Sequence, residues 1–399
     1  MAGRRQGQQH HIETINMTAE RHSYMRGVGT TPFGKHEGKG ALDLMAEAAK
    51  QAIESAGLKR GDIDGVLCGY ATTTPHLMLS TLFCERFAIR PNYSHSMQVG
   101  GATGAAMAML ARELVRSGRC RNVLVVAGEN RLTGQTRDSS IQTLAQVGDA
   151  DYEVPNGGSV PAYYGLMASR YMHEAGVSHE DLAEFAVLMR NNAMRHPDAQ
   201  LKTPITIADV LASKPIADPL KLLDCCLISD GAVALVISAD APSGTKVRMS
   251  GAGQAHFHQH LSAMRSVMDC GAGHAARQAF DESGLSTNDI DYLAVYDSFT
   301  ITLVMLLEEI GFAARGKAAD RVRNGDFLPA GKLPLNTHGG LLSCGHSGVA
   351  GGMAHIAEAY RQMMAQCGDK QVKQPRHAFM HGDGGVMSSH VSLILSRED

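Results

Sequence analysis

Residues 48–66 read AAKQAIESAGLKRGDIDGV, and residues 275–293, 227 positions further on, read AARQAFDESGLSTNDIDYL. Nine aligned positions are identical: Ala48, Ala49, Gln51, Ala52, Gly57, Leu58, Asp62, Ile63 and Asp64 match Ala275, Ala276, Gln278, Ala279, Gly284, Leu285, Asp289, Ile290 and Asp291. Each copy predicts the same unit. An Ala-rich amphipathic helix stops at a glycine that can take the left-handed C-cap conformation, at Gly57 and at Gly284. The Asp-Ile-Asp loop then leads into an apolar strand, Val66–Cys68 or Leu293–Val295. A repeat spaced at slightly over half the chain implies two homologous halves, with extra residues inserted in the first.

Working outward, Leu77–Ala88 is expected to be helical, a turn falls at Gly100-Gly101, and an apolar helix runs over Ala102–Ser117. Asn122–Ala127 (NVLVVA) has the continuous apolar character of a fully buried strand. From about 131 to 222 the pattern turns irregular and polar, with helices over Ala162–Ala175 and His179–Arg195. This stretch reads as the insertion, and Ala232–Ile237 closes the first half as another buried strand. The second half adds a helix at Ile301–Ile310, a Gly-rich turn at Gly339–Gly352, a helix to Gln366 and a strand at Val391–Leu395. The expected division is a tail over residues 1–24, a first half over 25–240 and a second over 246–399. Strands alternating with helices make this an α/β fold.

The chain has 399 residues with a net charge of −3, so nothing in its balance calls for a nucleic-acid or membrane-surface partner. Hydrophobic residues are 44%, ample for a core, yet no apolar run reaches the roughly eighteen residues a spanning helix needs. Met1 to Gln9 is basic but no apolar segment follows, which argues against a secretory signal; Met17 offers a second start. Of the eight cysteines only Cys225 and Cys226 are close, and adjacent residues form no CxxC metal pair, so reduced thiols in a cytoplasmic protein are expected. His256, His258 and His260 alternate and would share one face of a strand. No carboxylate or thiol accompanies them, and no metal is expected. Gly271-Ala272-Gly273 imitates a dinucleotide fingerprint, but no strand is expected before it and the repeat explains its helix. Lys35, Lys39 and the Arg315–Arg323 cluster read as solvated charges, although the last could meet a CoA phosphate.

Four further stretches carry a family resemblance: Thr31-Pro32-Phe33-Gly34, Asp224-Cys225-Cys226-Leu227-Ile228-Ser229-Asp230-Gly231-Ala232, Asn336-Thr337-His338-Gly339-Gly340 through Gly345-His346-Ser347-Gly348, and Met380–Met387 (MHGDGGVM). Through them the chain resembles the thiolase superfamily, above all its sterol-carrier-protein type, from about Met25 to the C-terminus. The resemblance implies a five-layered αβαβα fold, a homodimer, and action on acyl-CoA thioesters with CoA entering as part of the substrate and no bound cofactor. It also implies a nucleophilic Cys, an activating His, a second Cys as acid/base and an oxyanion hole.

The chain departs from that pattern where the chemistry sits. The family's nucleophile belongs at a helix N-terminus, where free amides and the helix dipole lower a thiol's pKa. That place holds Gly100-Gly101-Ala102-Thr103-Gly104, and no Cys lies between Cys84 and Cys120. His381 occupies the position of the second Cys, and Tyr296 that of the oxyanion-hole His or Asn. His346 remains as general base or thioester-oxygen donor. The catalytic candidates are therefore His346, Tyr296, His381 and, two residues before His346, Cys344. Gly101, Asn336, Gly339, Gly340, Ser347, Gly384 and Gly385 are the candidates for substrate and oxyanion contacts.

Without the cysteine, the kit suits a retro-aldol: a base takes the β-hydroxyl proton of a β-hydroxyacyl-CoA, the Cα–Cβ bond breaks, and the hole holds the thioester enolate. The resemblance extends to cysteine-less relatives that shorten steroid side chains with tyrosines as acid and base, joined to a small partner with a zinc ribbon and an OB-fold. The second tyrosine of that subgroup is not evident near Cys344. Two alternatives stay open: acyl transfer through another Cys such as Cys344, and a non-catalytic acyl-CoA or lipid-binding subunit.

Overall fold

The computed structural model describes residues 22–399, so all but the last three residues of the expected tail, Met17 included, lie outside the described residues. The first half threads β1 (Tyr24–Thr30), α1 (Ala41–Ser55), β2 (Gly65–Gly69), α2 (Leu79–Arg86), β3 (Tyr93–Met97), α3 (Thr103–Arg116) and β4 (Asn122–Asn130). Then come α4 (Arg137–Ala145), α5 (Val160–Ala175), α6 (His179–Met194), α7 (Ile207–Ala212) and a small hairpin of β5 (Pro215–Ala217) and β6 (Leu220–Lys221), before β7 (Asp230–Ser238) returns to the sheet. The second half runs β8 (Lys246–His256), α8 (Ala272–Ser283), β9 (Tyr292–Val295), α9 (Thr300–Ile310), α10 (Ala318–Arg323), α11 (Val349–Met363), β10 (His377–Gly384) and β11 (Ser389–Glu398). Among the described residues no helix is long and apolar enough to cross a membrane.

The strands lie in the order β3-β2-β4-β7-β1-β8-β11-β10-β9. The hydrogen bonds between β1 and β8 are confined to Tyr24–Arg248 and Met25–Val247, so the two halves join only at a corner. Helices α3 and α11 pack on each other and on strands of both halves, while α1 and α2 cover the outer face of one sheet and α8 covers that of the other, with α9 packed against it. This is the αβαβα layering that the sequence led us to expect. A pseudo-dyad relates β1, β2, β4 and β7 to β8, β9, β10 and β11. The counterpart of β3 is reduced to one parallel bridge, Leu293 with Leu335.

The repeated residues have matching jobs. Gly57 and Gly284 both end their helices with positive φ, +65° and +68°. The Asp62 carboxylate accepts from Lys59 N at 2.7 Å, and Asp289 accepts from Ser286 N at 2.8 Å, each closing a short turn. Asp64 accepts from the amides of Arg121 and Asn122 at the start of β4, and Asp291 from those of Arg376 and His377 at the start of β10. The alanines let each helix lie directly on its first strand. A β-carbon on Gly29 would stand 2.1 Å from the Ala48 carbonyl oxygen, and one on Gly253 would stand 2.1 Å from that of Ala275.

Three local expectations are corrected. The strand β8 ends at His256, so His258 and His260 do not share a strand face with it; His256 Nδ1 meets Ser389 Oγ at 2.9 Å, and His258 Nε2 meets the Val386 carbonyl at 3.2 Å. A strand does precede Gly271, but a loop with a 3₁₀ turn at Leu261–Ala263 separates the two. The Gly-rich turn stops earlier than expected, because Gly351 and Gly352 already belong to α11.

Gly253→Ala forces a β-carbon into helix backbone, whereas Gly57→Ala meets open space and only the αL penalty of about 1–2 kcal/mol. Thermal melts are expected to show the larger loss for Gly253→Ala, and equal losses would contradict the direct helix-on-strand contact.

Candidate active site

Tyr296 follows the end of β9 and points into the central layer. Asn336 fixes that strand end: its Nδ2 donates to the Val295 carbonyl at 2.7 Å and its Oδ1 accepts from the Val295 amide at 2.8 Å. The next residue, Asp297, is fully buried, and its carboxylate accepts from Leu341 N at 2.8 Å and faces His355 Nε2 at 3.1 Å. Burial pushes the Asp297 carboxyl upward and the His355 contact opposes it. Asp297 thereby holds the five-residue π-helical turn Gly340–Cys344 that leads to His346.

The phenol of Tyr296 is boxed by glycines and histidines. A β-carbon on Gly101 would stand 2.2 Å from its oxygen, and one on Gly352 would stand 3.4 Å from its ring. His355 stacks beneath the ring with 6.3 Å between centroids, and His346 meets it edge-on with Nε2 3.4 Å from the hydroxyl. Tyr296 is 5% exposed. Burial pushes the Tyr296 phenol well up and holds His346 down at about 3, the latter with help from the Arg131 charge. At neutral pH the pair is thus uncharged, with a phenolic proton to give and an imidazole lone pair to take.

Several charged and polar groups surround the pair. Arg131, just past β4, has a side chain only 9% exposed and lies 3.7 Å from Glu129. Glu129 is tied to Thr72, accepting from its amide at 2.9 Å and its hydroxyl at 2.7 Å, and rests against Gly348. The fully buried Asp383 takes a hydrogen bond from the Tyr164 hydroxyl at 2.8 Å, and its backbone oxygen would stand 2.5 Å from a β-carbon on Gly101. Burial raises the Asp383 carboxyl to about 8. Cys226, whose charge Tyr296 would feel, is pushed up to about 12 by burial, which leaves it a thiol.

Of the residues predicted from sequence, Tyr296, His346 and Gly101 come together. Gly384 and Gly385 pack on the Val99–Gly100 backbone beside them. Gly340 lies against the Asp297 carboxylate and Gly339 against Ala193 of α6, both at positive φ, so they shape the loop. Ser347 is buried with no partner for its hydroxyl among the described residues. His381 is not brought in. It shares the outer face of β10 with Phe379, and its ring nitrogens meet Ser392 Oγ at 2.9 Å and His390 Nδ1 at 3.1 Å. The Asn336 amide is spent on Val295 and is not an oxyanion donor. Cys344 turns the other way, into a cavity of about 20 Å³ shared with His338 and His196, and burial pushes its thiol far up.

The sequence reading missed Arg131, Asp383, Glu129 and His355. Asp383 alone left a signal, as the one acidic residue in the MHGDGGVM stretch already singled out. Among the described residues no group of three or more His, Cys, Asp or Glu is arranged to hold a metal ion.

Residues 25–241 match the family model described as thiolase, N-terminal domain, and residues 253–397 match thiolase C-terminal domain-like. A steroid side-chain-cleaving aldolase of Thermomonospora curvata is 34% identical over 84% of this chain and 88% of its own. An acetyl-CoA acetyltransferase of Methanothermobacter thermautotrophicus is 30% identical over 93% of this chain and 98% of its own. The solved Ltp2-ChsH2(DUF35) aldolase superposes with a TM-score of 0.81 at 30% identity, covering 94% of this chain and 98% of that one.

Asp383 provides a pH test. Its carboxyl titrates ordinarily at 3.8 and here at about 8, so between those values the unfolded chain releases a proton that the folded chain keeps. Stability therefore falls as pH rises through that window. Asp383→Asn is expected to raise the melting temperature by about 2–4 °C at pH 8 and by less than about 1 °C at pH 5. A gain that does not change between those pH values would contradict the raised carboxyl.

Proposed function

We propose, from the premise that this chain belongs to the thiolase superfamily, that it is a carbon–carbon lyase cleaving β-hydroxyacyl-CoA thioesters without a cysteine nucleophile. It is an enzyme of that superfamily, and thioesters of CoA are what the superfamily handles. The observation that carries the lyase reading is the Tyr296 hydroxyl standing 2.2 Å from where a β-carbon on residue 101 would be. Residue 101 lies in the Gly100–Gly104 stretch at the N-terminal end of α3, where the resemblance puts the family's thiol, and a side chain at 101 would meet the phenol.

His346 Nε2 takes the β-hydroxyl proton, the Cα–Cβ electron pair moves onto the thioester as an enolate, and the β-carbon leaves as an aldehyde or ketone. Tyr296 then protonates Cα, giving a shortened acyl-CoA, and regains its proton through the adjacent imidazole. The first proton is taken by a neutral imidazole and the second is given by a neutral phenol. The return of a proton from imidazolium to phenolate restores both, which suits two groups held uncharged by burial in the resting enzyme. The similarity to a steroid side-chain-cleaving aldolase supports this reading over acyl transfer. Here His346 stands in for the second tyrosine that the resembling subgroup uses.

A homodimer and a small zinc-ribbon/OB-fold partner belong to the same proposal. The outermost strand β3 leaves one backbone edge unpaired among the described residues, with the exposed Leu77 nearby, which supports pairing with a second copy. The similar aldolase is named for Ltp2 and ChsH2(DUF35) together, which supports a partner.

Incubating the full chain with a panel of β-hydroxyacyl-CoAs and following products by mass spectrometry is expected to give a carbonyl compound and a shortened acyl-CoA. Tyr296→Phe should lower kcat by about 10²–10⁴-fold while KM moves little. An acylated peptide containing Cys226 or Cys344 would replace the lyase with acyl transfer.

A further inference from the structure

The guanidinium of Arg131 has more donors than partners. Its side chain is 9% exposed, yet its Nε has no hydrogen-bond partner among the described residues. The neighbouring Glu129 carboxylate, at 3.7 Å, is too far to accept a hydrogen bond and is already engaged by Thr72. The remaining contact is a marginal 3.5 Å approach to Ser140 Oγ. Buried donors of a charged group are normally satisfied, so a guanidinium left this way requires an explanation.

The backbone that carries Arg131 is rigidly held. Asp230 Oδ1 accepts from Leu132 N at 2.7 Å and Thr133 N at 3.1 Å, while its Oδ2 accepts from the Thr133 hydroxyl at 2.8 Å and from His36 N at 3.0 Å. Glu129 in turn rests against Gly348, two residues past His346. The cation is therefore built into the wall of the reacting centre and is not a mobile surface charge. After burial, its charge is the largest influence holding the imidazole of His346 unprotonated. For a residue meant to take up a proton this is a handicap, and an anion paired with Arg131 removes it.

We propose that Arg131 anchors an anion subsite beside the phenol–imidazole pair, and that this enzyme takes acyl-CoA thioesters whose acyl group carries a carboxylate. The planar guanidinium fork matches a carboxylate, and pairing satisfies its open Nε. The substrate's own carboxylate then restores basicity to His346, so an acyl chain lacking it is disfavoured in turnover as well as in binding. This inference rests on the lyase reading only for the role of His346; the subsite itself stands on the geometry of Arg131.

The test is equilibrium binding to the full chain, with no turnover required. Succinyl-CoA and glutaryl-CoA are compared with butyryl-CoA and valeryl-CoA, which end in methyl groups. Wild type is expected to bind at least one carboxylated probe about tenfold or more tightly than its methyl-ended counterpart. Arg131→Gln should abolish that preference while shifting butyryl-CoA affinity by less than about threefold. Arg131→Lys, which keeps the charge but loses the fork, should retain part of it, and serves if the Gln variant fails to fold. Absence of any preference in wild type overturns the proposal. So does an equal loss for both probe types in Arg131→Gln, which would assign the arginine to CoA phosphates or to the thioester oxygen. Failure of the lyase reading would appear separately, as no carbonyl product from any β-hydroxyacyl-CoA, with the binding preference intact.

Discussion

A phenol oxygen and a β-carbon compete for one place beside the N-terminus of α3, and the arrangement of the site follows from the phenol having taken it. Residue 101 must then be glycine, and residue 352 nearly so, because a β-carbon at 352 would stand 2.8 Å from the Gly101 carbonyl oxygen. The four residues Tyr296-Asp297-Ser298-Phe299 organise most of what surrounds it. Asp297 locks the π-helical turn and His355, the Ser298 carbonyl receives the Cys226 amide at 2.9 Å, and Phe299 stacks on Tyr164 at 4.4 Å. Tyr164 then holds Asp383. One short segment at a strand end thus sets the geometry of both halves' contributions.

The fold was legible because the duplication left its physical constraints in the sequence. Gly57 and Gly284, Asp62 and Asp289, and Asp64 and Asp291 are each required by a turn or a strand start that occurs twice. The glycines of β1 and β8 belong to the same logic, but they escaped notice because their spacing to the helix differs between the halves by three residues. Within the site, Tyr296 and His346 were legible from their motifs, while His381 and Asn336 were misread for one reason. Motif position says which strand or loop a residue occupies, and side-chain direction depends on the pleat and on local partners. His381 falls on the wrong face of β10, and Asn336 is consumed by the strand it neighbours. Arg131 and Glu129 lie where an irregular insertion begins, and no periodicity there signals proximity to a loop more than two hundred residues away.

The interior handles charge in two ways. Where a partner is available it keeps the ions: Lys370 meets Glu358 at 2.5 Å, and that carboxyl stays below its ordinary range against the cost of burial, aided chiefly by the lysine. Where none is available it suppresses ionisation, as at Tyr296, His346, Asp383 and Cys226, all shifted toward their neutral forms chiefly by burial. The phenol and imidazole of the candidate site fall in the second class. Arg131 stands between them, since a guanidinium cannot shed its proton and its ion pair with Glu129, at 3.7 Å, is too long to be a hydrogen bond.

The middle layer decides how large the folding unit must be. Helices α3 and α11 come from different halves, touch each other, and touch strands of both sheets. A lone half would therefore present one bare sheet face and one bare helix flank to water, with no interior of its own to close. The two halves can close an interior only together, each roofing the other. With a two-residue hydrogen-bonded corner between β1 and β8 as the strand contact joining the halves, that shared roof is what makes them one folding unit.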